Sequence, residues 1–381
     1  MSKRILVAGA AVAALLAVGG TAAGASPSGA HGRVLTLAVY GDAPYGTTPT
    51  DTAEFEATPA FIDSVNADPD VSSAVHVGDI HSGKQYCTEA YDRSIKALWD
   101  GFADPLVYTP GDNEWTDCHK AGEGGGLVDP TTGQSVDYAS GNPVANLALI
   151  RSIFFQRPGE TLGSGDLRVL SQAQIADPEH PADRQYVENV VWSKKDTVFV
   201  TINVPGGSNN DADPWFGAPL TDAQTQERVE RTAADLRWLD FAFGLAQASA
   251  AKGVVIITQA DMWDLDGKTP AHLTNYESLV SSIASHTTSF GGPVLLLNGD
   301  SHVYRSDNPL VQGAPCAGDA GVCSYDAWNS HPNYDVPNFH RIVVHGSTIP
   351  LEWLKLTIDP RANAANGPTA FGPFSWTRIT E

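Results

Sequence analysis

The sequence is short of positive charge. Its 381 residues hold 23 Lys and Arg against 44 Asp and Glu, a formal net charge of −21. Such a field repels phosphate backbones and argues against nucleic acid as a partner. An anionic small molecule would need local positive charge, which a bound metal ion can supply. Cysteine is scarce, with four in the whole chain, and no CxxC pair occurs, which counts against a zinc–thiolate site. Beyond the N-terminus no apolar run is long enough to span a bilayer. Internal repeats and long low-complexity linkers are missing too, so residues 32–381 read as a single domain. Hydrophobic content of 42% with 18% charged residues excludes a disordered chain.

The N-terminus has the layout of a secretory signal peptide. Lys3 and Arg4 precede the apolar ILVAGAAVAALLAVGG, and small residues TAAGAS follow, with cleavage expected after Ala25. Removing residues 1–25 takes away two basic side chains and no acid, so the net charge moves from −21 to −23. An exported protein with four cysteines is expected to form two disulfides, for which three connectivities exist. Cys316 and Cys323 flank a short Gly-rich loop and are the simple pair, which leaves Cys87 with Cys118.

What the chain has is a repeated ending. Apolar runs lead into Gly-Asp at LTLAVYGD (Asp42), SSAVHVGD (Asp79), PLVYTPGD (Asp112) and PVLLLNGD (Asp300). The runs alternate with helical patterns, TAEFEATPAFIDSVNA and then EAYDRSIKALWDGF, which predicts a parallel sheet of βαβ units. Residues 119–185, rich in Gly and Pro, break the rhythm and read as an insertion over one rim of the sheet. Two antiparallel strands follow, turning at Lys194-Lys195-Asp196. A loop, GSNNDADPWFG, leads to a long helix from Thr221 to about Ala251 whose stripe is Leu236, Leu239, Ala242 and Leu245. GVVIITQAD reads as a strand, HLTNYESLVSSIASH as a helix, and NFHRIVVHGS and LEWLKLTID as closing strands.

In an open parallel sheet, ligands bind beyond the carboxyl ends of the strands. Four aspartates delivered there would repel one another and be costly to desolvate, so their convergence calls for cations. The competing reading is local, because Asp after Gly also caps helices and shapes turns. Asp166 and Asp319, in loops, fit that reading. Four such endings on buried strands, one continuing into Ser-His, favour divalent metal ions.

In their order these motifs resemble the calcineurin-like metallophosphoesterases, including the purple acid phosphatases. YGDAPY, HVGDIH, GDNE, TQAD and GDSH stand where that family carries its successive metal-ligand motifs, across most of residues 33–305. The resemblance implies a four-layer α/β sandwich, two mixed β-sheets flanked by helices, and two divalent metal ions (Mn, Fe, Mg, Ca or Zn). Carried over by position, Asp42, Asp79 and His302 would hold one ion. Asp79, Asp112, Gln259 and Asp300 would hold the other. Asp112, Gln259 and Asp300 replace nitrogen or amide ligands with oxygen donors, which favours a harder ion over a zinc-rich site. Pro44 cannot ligate where many members have His, and Tyr45 or His81 is placed to fill the gap.

The implied function is secreted hydrolysis of phosphate esters through a metal-bridging hydroxide. Asn113 stands in place of the catalytic His; its amide can bind a phosphoryl oxygen but has no useful proton to donate. His119, His81 and Glu114 are the candidate acids, and Arg305 is a candidate phosphate clamp. Ser208 to Asp211 and His345 are placed near enough in sequence to strand ends to be considered, while His76 reads as a packed strand residue. Trp115, Trp192, Trp215, Trp238, Trp263 and Trp353 are scattered, as core residues are. The alternative function is a degenerate member that binds metal or ligand without turnover.

Overall fold

A computed structural model describes residues 34–265 and 269–380; the expected signal peptide lies outside them. In chain order the first half contributes β1 (Leu35–Tyr40), α1 (Ala53–Asn66), β2 (Val71–His76), α2 (Glu89–Trp99), β3 (Pro105–Tyr108), α3 (Pro143–Phe154), β4 (Leu162–Gly163) and β5 (Leu170–Ser171). Then come β6 (Val190–Lys194), β7 (Thr197–Thr201), α4 (Asp222–Ala248), β8 (Gly253–Ile257), α5 (Glu277–Phe290) and β9 (Val294–Asn298). The chain closes with β10 (Arg305–Asp307), β11 (Ala317–Gly318), β12 (Phe339–Val343), β13 (Glu352–Ile358), β14 (Ala370–Phe371) and β15 (Phe374–Thr380).

These strands form two mixed sheets. One runs β14-β15-β13-β1-β2-β3-β4 and the other β11-β10-β12-β9-β8-β7-β6-β5. Their centres are parallel, β1-β2-β3 in the first and β7-β8-β9-β12 in the second, with antiparallel strands outside. Period-2 alternation explains why the central strands are apolar on both faces. In β1, Leu35, Leu37 and Val39 point between the sheets while Ala38 and Tyr40 point to the helices. In β9, Leu295 and Leu297 face inward and Val294 and Leu296 face outward. Burial of each such Leu or Val contributes about 1.5–3 kcal/mol.

Helices α1, α2 and α3 cover the outer face of the first sheet, and α4 and α5 that of the second. The result is the expected four-layer sandwich. Leu239, Ala242 and Leu245 of the α4 stripe are buried, and the partly buried Leu236 packs on the same cluster. The segment 119–185 spans more than one rim: α3 lies on the first sheet, β4 extends that sheet's edge, and β5 extends the other's. Both expected disulfides form, Cys87–Cys118 and Cys316–Cys323. Among the described residues no helix is long and apolar enough to cross a membrane.

Two segments depart from the sequence reading. The loop after β7 opens with a left-handed turn over Gly206–Asn210, where Gly207, Ser208 and Asn209 all have φ near +60°. The helix expected over HLTNYESLVSSIASH is a 3-10 segment, Pro270–Tyr276, followed by α5.

Candidate metal centre

Asp42, Asp79 and Asp112 leave the carboxyl ends of β1, β2 and β3, while Gln259 and Asp300 leave β8 and β9 of the facing sheet. Parallel central strands point these ends the same way, so residues far apart in sequence meet at one rim. Asp42, Asp79, Asp300 and His302 all have positive φ, of 49°, 62°, 77° and 59°. A left-handed residue other than Gly costs about 1–2 kcal/mol, and such costs concentrate at functional sites. The close fit depends on the glycines before them: a Cβ on Gly111 would lie 1.9 Å from Asp79 Oδ1.

Hydrogen bonds lock the two sheets' contributions together. The Asp300 N–H donates to Asp42 Oδ1 at 2.9 Å, while Asp42 Oδ2, fully buried, has no hydrogen-bond partner. Tyr45 Oη donates to Asp79 Oδ2 at 2.7 Å, and Asn113 Nδ2 donates to Tyr45 Oη and Asp79 Oδ2 at 2.8 and 3.2 Å. His302 Nε2 lies 3.7 Å from Asp42 Oδ1, and its ring meets Tyr45 edge-on. Ligand atoms of Asp42, Asp79 and His302 all fall within 4.8 Å of one another. Burial pushes the Asp42 and Asp112 carboxyls up to about 7. It pushes Asp79 and Asp300 up as well, and Asp112's charge adds to the shift of both.

A divalent cation suits the Asp42–Asp79–His302 group. An orphaned buried oxygen, an adjacent carboxylate and an imidazole are donors without enough positive charge among them. The second expected site has a different content. Gln259 Nε2 lies within 3.0–3.2 Å of Asp79, Asp112 and Asp300, and Gln259 Oε1 accepts from the Gly206 N–H at 2.6 Å. The oxygen expected to ligate an ion therefore faces the backbone, and three carboxylates are met by an amide donor.

The remaining expected residues divide. Asp79, Asp112, Asn113, Asp300 and His302 line a cleft of about 270 Å³. Lys120, His272, Asp213 and Asp261 line it too, and sequence reasoning had not singled them out. Lys120 pairs with Asp117 at 2.5 Å and Asp213 at 3.1 Å. Its neighbour His119, one of the three candidate acids, is buried with Nδ1 donating to the Thr116 carbonyl, and does not line the cleft. His81 is turned toward Ser82 and the Cys87 sulfur. Glu114 is structural: its Oε1 accepts from Tyr108 Oη and the Gly111 N–H at 2.6 Å each.

Arg305 forms no phosphate clamp. Its guanidinium is buried on Asp307 and the carbonyls of Val322 and Tyr325, and Arg341 continues the network from Asp307 to Asp261. His345 is taken up by Glu352 and Asp319. Side chains of Ser208, Asn209 and Asn210 point away, to the His272 carbonyl, Thr232 and Glu227, so the turn presents its backbone to the centre. His76 is packed as expected, with Nε2 on the Ala43 carbonyl.

The sequence matches no protein-family model and no curated protein. Among solved structures the chain is similar to a purple acid phosphatase isolated from yellow lupin (Lupinus luteus) seeds. The TM-score is 0.40 at 12% identity, over 91% of this chain and 51% of that one. It thus spans about half the length of that structure.

Proposed function

We propose that the protein is an exported, metal-dependent hydrolase of small phosphate esters. The observation that carries this reading is the Asp42 oxygen, buried without a partner beside Asp79 and His302, which themselves line a cleft walled by carboxylates. A phosphate ester cannot enter such a cleft against bare negative charge. A divalent cation at Asp42, Asp79 and His302 would neutralise that charge, polarise a phosphoryl oxygen and acidify a water. The chain's own groups do the rest. Tyr45 and Asn113 fix the orientation of Asp79, and burial holds the Tyr45 phenol well above its ordinary range, so it stays a donor. Lys120 lines the cleft between Asp117 and Asp213 and is a cation there that the non-reacting oxygens would share with those carboxylates.

With Asn113 where an acid would stand, leaving groups must depart with little protonation. Hydrolysis should therefore fall steeply as leaving-group pKa rises, aryl phosphates outpacing alkyl phosphates by about 100-fold or more, the range general acids supply. A second reading, binding without turnover, is favoured by one observation: the Asn113 amide is engaged with Tyr45 and Asp79. Chelator-stripped protein reloaded with Mn, Mg, Ca, Fe or Zn and assayed on aryl mono- and diesters separates the two. Turnover that requires metal and disappears in Asp79→Ala supports the hydrolase; bound metal with no turnover under any loading supports the binding reading.

A further inference from the structure

We infer that this centre takes one divalent cation, held by Asp42, Asp79 and His302, and that the Gln259 carboxamide stands where a second would bind. The inference rests on the metal-dependent reading above and narrows it to a single ion.

Three observations carry it. Gln259 Nε2 has Asp112 Oδ1 at 3.0 Å and Asp79 Oδ2 and Asp300 Oδ1 at 3.2 Å each, which places one donor nitrogen among three carboxylates. The amide orientation is fixed by its other end. The Gly206 N–H can only donate, so the atom 2.6 Å from it must be Oε1, and Nε2 must face the carboxylates. Turning the amide over to offer oxygen to an ion would set –NH2 against N–H at Gly206 and leave that buried donor unpaired, at a cost of about 1–3 kcal/mol. Finally, the wall is close on the remaining side: a Cβ on Gly206 would lie 2.4 Å from Asp112 Oδ2 and 2.7 Å from Asp300 Oδ1. The Gly206 backbone thus closes that side of the two carboxylates.

The two halves of the centre therefore differ in kind. On the Asp42 side Oδ2 is buried and lacks any donor, and only Oδ1 is met, by the Asp300 N–H. On the Asp112 side each carboxylate has one, and Asp300 gains a second from the Asp261 N–H at 2.9 Å.

The probe is Mn(II) with the full chain. Chelator-stripped protein is equilibrated with excess MnCl2, and bound metal is measured by elemental analysis after equilibrium dialysis, alongside electron paramagnetic resonance. One Mn per chain, with the six-line spectrum of an isolated ion, is the expected result. Two per chain with an exchange-coupled spectrum would overturn the single-ion centre and leave the metal-dependent reading standing. No bound Mn would overturn the single-ion centre, and the reloading with Mg, Ca, Fe or Zn decides the metal-dependent reading separately. Gln259→Glu keeps the shape and an acceptor for Gly206 but replaces the donor with a further anion, and should raise the ratio from one to two. A ratio still at one in that variant would contradict the role given to Gln259.

Discussion

At the scale of single residues, the centre trades stability for binding. Asp42 is held with its carboxyl pushed up to about 7 by burial, its Oδ2 unmatched. At pH 8 that carboxylate is charged in the folded and unfolded chain alike, so folding bears its desolvation. Asp42→Asn in chelator at pH 8 should therefore be more stable than wild type by about 1–3 kcal/mol. The same variant should gain nothing from Mn(II). Urea denaturation with and without metal checks both, and a less stable variant would contradict the account. His76 works in the opposite sense. Its Nδ1 accepts from the Gly78 N–H at 3.2 Å, so the ring must stay neutral, and burial lowers its pKa to about 4. A folded value below the unfolded one, about 6.5, means that stability is intact above pH 6.5 and drains away toward pH 4. Relative to His76→Gln, wild type should lose about 1 kcal/mol per pH unit across that window.

At the scale of elements, the left-handed turn over Gly206–Asn210 is the piece that closes the site. Arg231 of α4 ties it down through the Asn203 carbonyl and Asn209 Oδ1, at 2.8 and 2.7 Å. The Cβ in Gly206→Ala would drive into Asp112 and Asp300. Because the Asp300 N–H holds Asp42, Mn(II) affinity should fall at least about tenfold, a loss of roughly 1.4 kcal/mol, while the far-UV spectrum stays unchanged. Unaltered affinity would show that the turn is not part of the centre. Much of this arrangement was legible: the Gly-Asp ending on four apolar runs marks strand, turn and carboxylate together. The left-handed turn was not, because Gly-Gly-Ser-Asn-Asn is equally suited to any loop. Which way Gln259 points is also hidden in sequence, since the deciding donor, the Gly206 N–H, comes from a strand end over fifty residues away. Arg305 misled in a similar way: Asp307 lies two residues along the same strand, but the Val322 and Tyr325 carbonyls that complete its set of partners reach it only through the fold.

At the scale of the molecule, the two sheets are pressed together along an apolar layer, and the aspartates meet only because those sheets face one another. The alternation of apolar strand runs with helical patterns made the parallel character of the central strands readable. The short strands β10, β11 and β14 gave no such signal, and β15 was overlooked although Phe374 and Trp376 alternate with Ser375 and Thr377. The central claim is that carboxylates from both sheets are built around a cation, and its most direct test is the thermal midpoint of stripped protein as MnCl2 is added at pH 8. Above the carboxyl values of about 7 for Asp42 and Asp112, the uncompensated charge is greatest. At a thousandfold excess over the dissociation constant, binding adds about 4 kcal/mol and should raise the midpoint by about 5 °C. A midpoint that does not move with Mn(II) would contradict the account.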